Sequence, residues 1–367
     1  MKENELFLNE QLLTYIGNKR LLVKYIQTEV IRIQKELAKT KTVNADLFAG
    51  SGVVSRMLKQ HSASLYVNDL EQYSYIINKC YLANKSEFKE KEYQLYFAKL
   101  KQKITDKNYF EGIITNNYAP KNDVIQKDDR VFYTKDNALI IDTIRNEITK
   151  IDENLQVYFL APLLVMASVH VNTAGIFKGF YKDKTTKLGK FGGTNENALS
   201  RILKPIELVK PILSNFECEV KISCENANEL AKELKDLDIV YLDPPYNQHP
   251  YGSNYFMLNV ICENKIASQI SKVSGIPTTW NRSNYNKKRA IYTELANLVE
   301  TLDSKYIILS YNSDGFLTYE EIEEILNKYG EVSAKKIQYN TFKGSRNLEN
   351  RQKYVHEYLF TLKKVKK

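Results

Sequence analysis

The chain has 367 residues, 43% of them hydrophobic, and a formal net charge of +9 from 53 Lys plus Arg against 44 Asp plus Glu; that is enough for one large domain with an insertion, or for two domains, each with a packed core. No apolar run approaches a membrane span, the charged start "MKENELFLNEQ" lacks a signal-peptide profile, and Cys80, Cys218, Cys224 and Cys262 form no CxxC pair. Those features exclude a membrane span, a disulfide framework and a zinc site, and lead to the expectation of a cytoplasmic protein.

Residues 20–38 carry Leu22, Tyr25, Ile26, Val30, Ile33 and Leu37 near helical spacing, which predicts an amphipathic helix. "TVNADLF" (residues 42–48) reads as a strand, "AGSGVVSRMLKQ" as a tight turn opening a helix, "SLYVNDL" as the next strand, and "YSYIINKCYLANK" as a helix. This βαβ beginning predicts a parallel sheet with the glycines at its carboxyl edge. From about 85 to 155 the text is rich in Lys, Tyr and Asn with weak periodicity. "LQVYFLAPLLVMASVHVN" then predicts a buried helix with Pro162 near its start, and residues 173–193 hold too much glycine and lysine for a core. Strand text resumes with "CEVKISCENANEL", "DIVYLDPPY", "SKYIILSYNSDG" and the closing "YVHEYLFTLKK". The simplest partition is an α/β domain in two parts, 1–84 and 213–367, interrupted by an insertion over 85–212 that contains the basic loop 173–193.

Two stretches carry chemistry. In "DLFAGSG" (residues 46–52), Gly50 and Gly52 let the backbone turn sharply between strand and helix and approach a ligand closely. Asp69, at the end of the second strand, is placed to accept hydrogen bonds from ribose hydroxyls. An ordinary βα turn with a helix-capping Asp is the alternative. Ser55 stands where a dinucleotide fingerprint has its third glycine, which disfavours pyrophosphate and NAD and favours a phosphate-free nucleoside such as S-adenosyl-L-methionine. In "DIVYLDPPYNQHPYG" (residues 238–252), two prolines end a buried strand. Asp243 and the Pro244 carbonyl can accept the N–H bonds of an exocyclic amine and free its lone pair for an electrophilic methyl. Tyr246 offers a stacking face to a base removed from the duplex. No metal is called for, and His249 is assigned no role, because the amine needs no general base before attack.

With these residues in order, the chain resembles the Dam-like DNA adenine N6 methyltransferases. "YIGNK" (residues 15–19) is similar to that family's N-terminal motif, "DLFAGSG" to its glycine turn, "VNDLE" to its ribose motif, "CENANEL" to its adenine-side motif, and "DPPY" to its catalytic motif. "YIILSYNSDG" and "EYLF" resemble its late strands. The resemblance implies a Rossmann-like S-adenosylmethionine-dependent sheet with an inserted, mainly helical DNA-recognition domain. It implies that Tyr15, Gly17 and Lys19 contact cofactor and target base, with Phe48 and Gly50 packing on the methionine part. Asp46 and Gly52 belong to the same cofactor turn, Asp69 would hold the ribose and Asn226 the adenine side, and Asp243 would adjoin the cofactor. It further implies base flipping in double-stranded DNA, S-adenosyl-L-homocysteine as product, and a restriction–modification role with a cognate restriction endonuclease acting on the same site.

The insertion has its own physics. Phe177, Lys178, Lys182, Lys184, Lys187 and Lys190 stand among aromatics and glycines, at about the place where the family contacts DNA. Lysines on phosphates with an aromatic wedge in the stack is one reading, and a solvated loop is the other. Arg282, Lys287 and Arg346 are further phosphate-contact candidates. Within the class, an RNA adenine or a cytosine-N4 methyltransferase remains open. Outside it stand a nucleotide-dependent oxidoreductase and an inactive DNA-binding relic.

Overall fold

The structure, a computed structural model, describes residues 2–340 and 354–365. α1 (Glu5–Asn9) and α2 (Val23–Glu36) lead into β1 (Thr42–Asp46), α3 (Val53–Lys59), β2 (Ser62–Asn68) and α4 (Gln72–Tyr81). In α2, Ile26, Val30 and Ile33 are buried at helical spacing, while Tyr25 faces solvent. Next come α5 (Glu90–Thr105), α6 (Ile113–Tyr118), α7 (Lys135–Ile148), α8 (Glu153–His170) and α9 (Leu199–Leu203). The chain then returns to β3 (Glu219–Ser223), α10 (Ala227–Leu230), β4 (Leu237–Leu242), α11 (Tyr251–Asn254) and α12 (Phe256–Glu263). It closes with α13 (Ile291–Thr301), β5 (Ser304–Asn312), α14 (Tyr319–Asn327), β6 (Gly330–Asn340) and β7 (Tyr354–Lys364).

The strands form one sheet in the order β3-β2-β1-β4-β5-β7-β6. β3, β2, β1, β4 and β5 are parallel, and β7 runs antiparallel between β5 and β6. β4 is central and buried at every position, which its Ile-Val-Tyr-Leu text requires. Its period of two sends Ile239 and Tyr241 into a core with α2 and α3, and Val240 and Leu242 into a core with α13 and α14. β1 and β4 are neighbours, yet the chain leaves them toward opposite edges of the sheet. That is a topological switch point, where a crevice opens beyond the carboxyl ends. The expected Rossmann-like α/β architecture is therefore present.

The helical region departs from expectation in three ways. α5, α6 and α7 lie where the text shows only weak periodicity, because their outer faces are crowded with Lys and Asn. α8 starts earlier than expected, at an Asp152 N-cap, so Pro162 falls mid-helix. And the core of the insertion does not stop at residues 85 and 212. It is continuous with Leu12, Leu13 and Tyr15, with Tyr73 and Ile77 of α4, and with the apolar face of α12. The inserted helices thus bury their apolar faces against elements on both sides of the cleft.

Candidate active site

The turn after β1 is shaped by glycine. Gly50 (φ +52°) and Gly52 (φ +75°) both occupy the left-handed region. A Cβ on Gly50 would lie 2.9 Å from the Tyr15 ring, so this wall closes only without a side chain. A Cβ on Gly52 would lie 2.4 Å from Asn78 Oδ1. Gly52 lets α3 start close against Asn78 of α4. Asp69 fixes the turn from β2: Gly50 N–H donates to its Oδ2 at 2.7 Å, and Glu71 N–H donates to its Oδ1 at 2.9 Å.

This turn lines a cleft together with Tyr15, Gly17, Lys19, Asp46, Phe48, Asp69, Asn226 and Asp243. Its charged lining is five carboxylates (Asp46, Asp69, Glu71, Glu225 and Asp243) against one ammonium, Lys19. Such a wall repels a pyrophosphate and suits a cationic nucleoside, which argues against the oxidoreductase alternative. Asp46 Oδ2 accepts from Ser55 Oγ at 2.6 Å, while its Oδ1 is buried with no protein partner. Burial pushes the Asp46 carboxyl up to about 7 despite the Ser55 bond. A bound ammonium would satisfy that orphan oxygen, so the residues present fit S-adenosyl-L-methionine. Asn226 also caps α10, its Oδ1 accepting from Asn228 N–H at 2.9 Å. Phe48 is held edge-on by Tyr285.

Asp243 sits where β4 ends, next to Pro245 on the cleft wall, with Pro244 buried behind it. Lys19 reaches it from the N-terminal segment: Nζ lies 2.7 Å from Asp243 Oδ1, 3.0 Å from Glu357 Oε1 on β7, and 3.1 Å from the Gly17 carbonyl. The ammonium donates to that carbonyl and forms ion pairs with both carboxylates. Lys19 lines the cleft with its ammonium held between Asp243 and Glu357. Burial alone would depress Lys19, but the two carboxylates hold it well above the usual lysine range. Burial pushes Asp243 up to about 6, against the pull of Lys19. Tyr246 is half-buried, edge-on to Tyr311. Its hydroxyl would lie 3.7 Å from a Cβ on Gly17, which puts the ring beside the cofactor cleft rather than in it.

Several contributors were not read from the sequence. Tyr251 and Tyr255 stack on Tyr15 at 4.9 and 4.8 Å, and Tyr15 shares a 2.9 Å hydrogen bond with Tyr73. Tyr251 Oη donates to the Ile16 carbonyl and Ile16 N–H donates to Tyr255 Oη, so α11 and the turn into α12 clamp the segment that carries Lys19. An aromatic pair four residues apart in "YGSNY" was the available signal. Glu71 lines the cleft, accepts from Asn259 and Asn281, and is pushed up to about 7 by burial.

The basic loop is a hairpin. Lys182 and Gly189 pair, Lys187 turns at φ +62°, and Asp183 Oδ1 accepts the Thr185 and Thr186 N–H groups. Buried Asn172 roots it, donating to the Val131 and Lys190 carbonyls. Lys178, Lys182, Lys184 and Lys187 are exposed, and Lys190 pairs with Glu196 at 3.5 Å. Phe177 is not: it is 2% exposed, packs on Tyr255, and its N–H donates to the Asn254 carbonyl. It is a core residue tying the loop to α11, which corrects its expected contact with DNA. Phe180 is half-buried against Phe132. Arg282 is exposed, its guanidinium 4.0 Å from the Trp280 ring, and exposed Lys287 donates to Asn284 Oδ1. Both belong to a stretch whose Asn281, Ser283 and Asn286 line the cleft. Arg346 lies outside the described residues.

The chain is 29% identical to the type II methyltransferase M.NlaIII of Neisseria lactamica over 361 residues, covering 96% of this chain and all of that protein. It is 30% identical to the type II methyltransferase M.CviAII of Paramecium bursaria Chlorella virus 1, covering 94% of this chain and 97% of that one. It is 29% identical to the modification methylase StsI of Streptococcus sanguinis, of which it spans 52%. Residues 15–329, from the Tyr15 clamp to the end of α14, match the D12 class N6 adenine-specific DNA methyltransferases, and the chain belongs to that family.

Proposed function

We propose that this chain transfers a methyl group from S-adenosyl-L-methionine to the N6 amine of an adenine flipped out of double-stranded DNA, as the modification enzyme of a restriction–modification system. The observation that carries the reading is the Lys19-held Asp243 opening onto the same cleft as the Gly50 turn. The names of the similar proteins, type II methyltransferases and modification methylases, support the biological role. A cognate restriction endonuclease is the partner this role implies, and the cytoplasm is where the DNA to be protected would be met.

When bound, the cofactor supplies a sulfonium methyl and leaves as S-adenosyl-L-homocysteine, the C–S electron pair returning to sulfur. Asp46 would offer its orphan oxygen to the cofactor's ammonium, Asp69 would hold the ribose, Asn226 would border the adenine, and Phe48 and Gly50 would pack on the methionine part. Asp243 and the Pro244 carbonyl accept the two N–H bonds of the target amine and localise its lone pair. Tyr246 stacks on the extruded base. As N6 forms its bond to the methyl it becomes positive; Asp243 stabilises that charge and takes one amine proton, a task suited to a carboxyl pushed up to about 6. The hairpin lysines neutralise phosphates.

Nucleoside mass spectrometry after incubation with duplex DNA, single strands and RNA tests the reading. N6-methyladenine from duplex is expected. N4-methylcytosine, or modification of RNA alone, would overturn it.

A further inference from the structure

We propose that Glu357 is a positioning residue for this methyl transfer, acting on Asp243 through Lys19. The inference rests on the function proposed above and assigns a part to the closing strand that lies beyond the matched residues 15–329.

Glu357 lies on β7, the strand inserted between β5 and β6, and its side chain is 1% exposed. Its Oε1 forms an ion pair with Lys19 Nζ at 3.0 Å, and its Oε2 accepts from Asn312 Nδ2 at 3.1 Å, across the β5–β7 pair that sets Asn312 opposite Glu357. Lys19 lies between the two carboxylates, and the Gly17 carbonyl accepts from the same ammonium. The chain of contacts runs from the sheet, through Asn312, Glu357 and Lys19, to Asp243 Oδ1, and leaves Oδ2 for the amine.

Charge adds a second argument. Lys19 and Asp243 alone would be a neutral pair. With Glu357 the buried group carries one excess negative charge, beside the place where N6 becomes positive. Burying a further carboxylate is costly, and a glutamine could accept from Lys19 at the same place without that cost. An acid here therefore does what an amide would not: it divides Lys19 between two carboxylates and keeps Asp243 basic. The titratable groups around Asp243 are Lys19 from the N-terminal segment, Glu357 on β7, Asp46 on β1, Tyr241 on β4, and Tyr246 and Tyr251 beyond it. Burial and Glu357 raise the Asp243 carboxyl and Lys19 lowers it.

The test is single-turnover methylation by the full chain, wild type against Glu357→Gln and Glu357→Asp, measured across pH with cofactor and DNA affinities in parallel. Glu357→Gln should lower the rate by about tenfold or more, a scale reached when one preorganised electrostatic partner is lost. Its acid limb should move to lower pH, because a negative neighbour of Asp243 is gone, while both affinities stay within about twofold. Glu357→Asp should keep the wild-type limb. A Glu357→Gln rate and limb equal to wild type would overturn the inference, as would a rate loss with an unmoved limb. Should Glu357→Gln fail to fold, Asn312→Ala takes its place: it removes the Asn312 amide from Glu357 Oε2, and a rate equal to wild type would count against the proposal. A wild-type protein that does not methylate adenine would instead sink the function on which the inference rests, so the two failures are distinguishable.

Discussion

In the cleft, five carboxyl groups face one ammonium that is ion-paired with Asp243 and Glu357, whereas the hairpin at residues 181–190 sets three exposed lysines around one aspartate that folds the turn. The first region is buried, acidic and clamped by stacked tyrosines. The second is exposed and basic, and is rooted by a single buried asparagine, Asn172. The difference follows from the two tasks. Aligning an amine with a methyl needs atoms held to fractions of an ångström. Meeting a phosphate backbone needs only charge within reach, and long solvated side chains supply it. The net charge of +9 therefore conceals a strongly acidic site within a basic protein.

This contrast can be broken by substitution. Asp243→Ala should lower methyl transfer by about 10²–10³-fold or more while cofactor and DNA binding stay nearly intact, because an acceptor needed mainly in the transition state is gone. Single-turnover rates and equilibrium binding check it. Phe177→Ala, on the hairpin's approach but inside the core, should cost about 3–5 kcal/mol of stability in denaturant titration, since the cavity it leaves lies under Tyr255. Neutralising Lys182, Lys184 and Lys187 together should flatten the salt dependence of DNA binding by up to about 2.7 in log–log slope, at about 0.9 per phosphate, without touching cofactor affinity. An unchanged slope would return the hairpin to a solvated loop. The smallest effect concerns Asp46. Its carboxyl is raised from its ordinary value to about 7, so the stability it contributes is full below the unfolded value and is lost as pH rises toward 7. Asp46→Asn should therefore melt slightly higher than wild type at pH 8 without cofactor, yet bind the cofactor more weakly; thermal melts with and without S-adenosyl-L-methionine read both.

What could be read from the chain alone follows the same division. The glycine turn and the Asp-Pro-Pro-Tyr run are local: each joins a β-branched strand to a break in backbone geometry, and both landed at the switch point of the sheet. Glu357 and the three-way commitment of Lys19 are not local. They depend on β7 running antiparallel beside β5, which brings residue 357 within reach of residue 19. β6 escaped notice because it is an exposed edge strand, with Val332 and Ile337 half-buried among polar and small residues instead of an apolar run. Phe177 was misread because it stands in glycine- and lysine-rich text, and only the Asn254 contact from α11 shows that it is covered. An acid inside the apolar text "VHEYLF" was the one available hint of the Glu357 contact.

The most direct test is sequencing that reads modified bases in DNA from cells expressing the wild-type chain or Asp243→Ala. N6-methyladenine at one fixed position of one short motif, absent from the variant, is the expected result. The same marks in both samples, or marks on cytosine, would contradict the assignment of Asp243 as the group that holds the target amine.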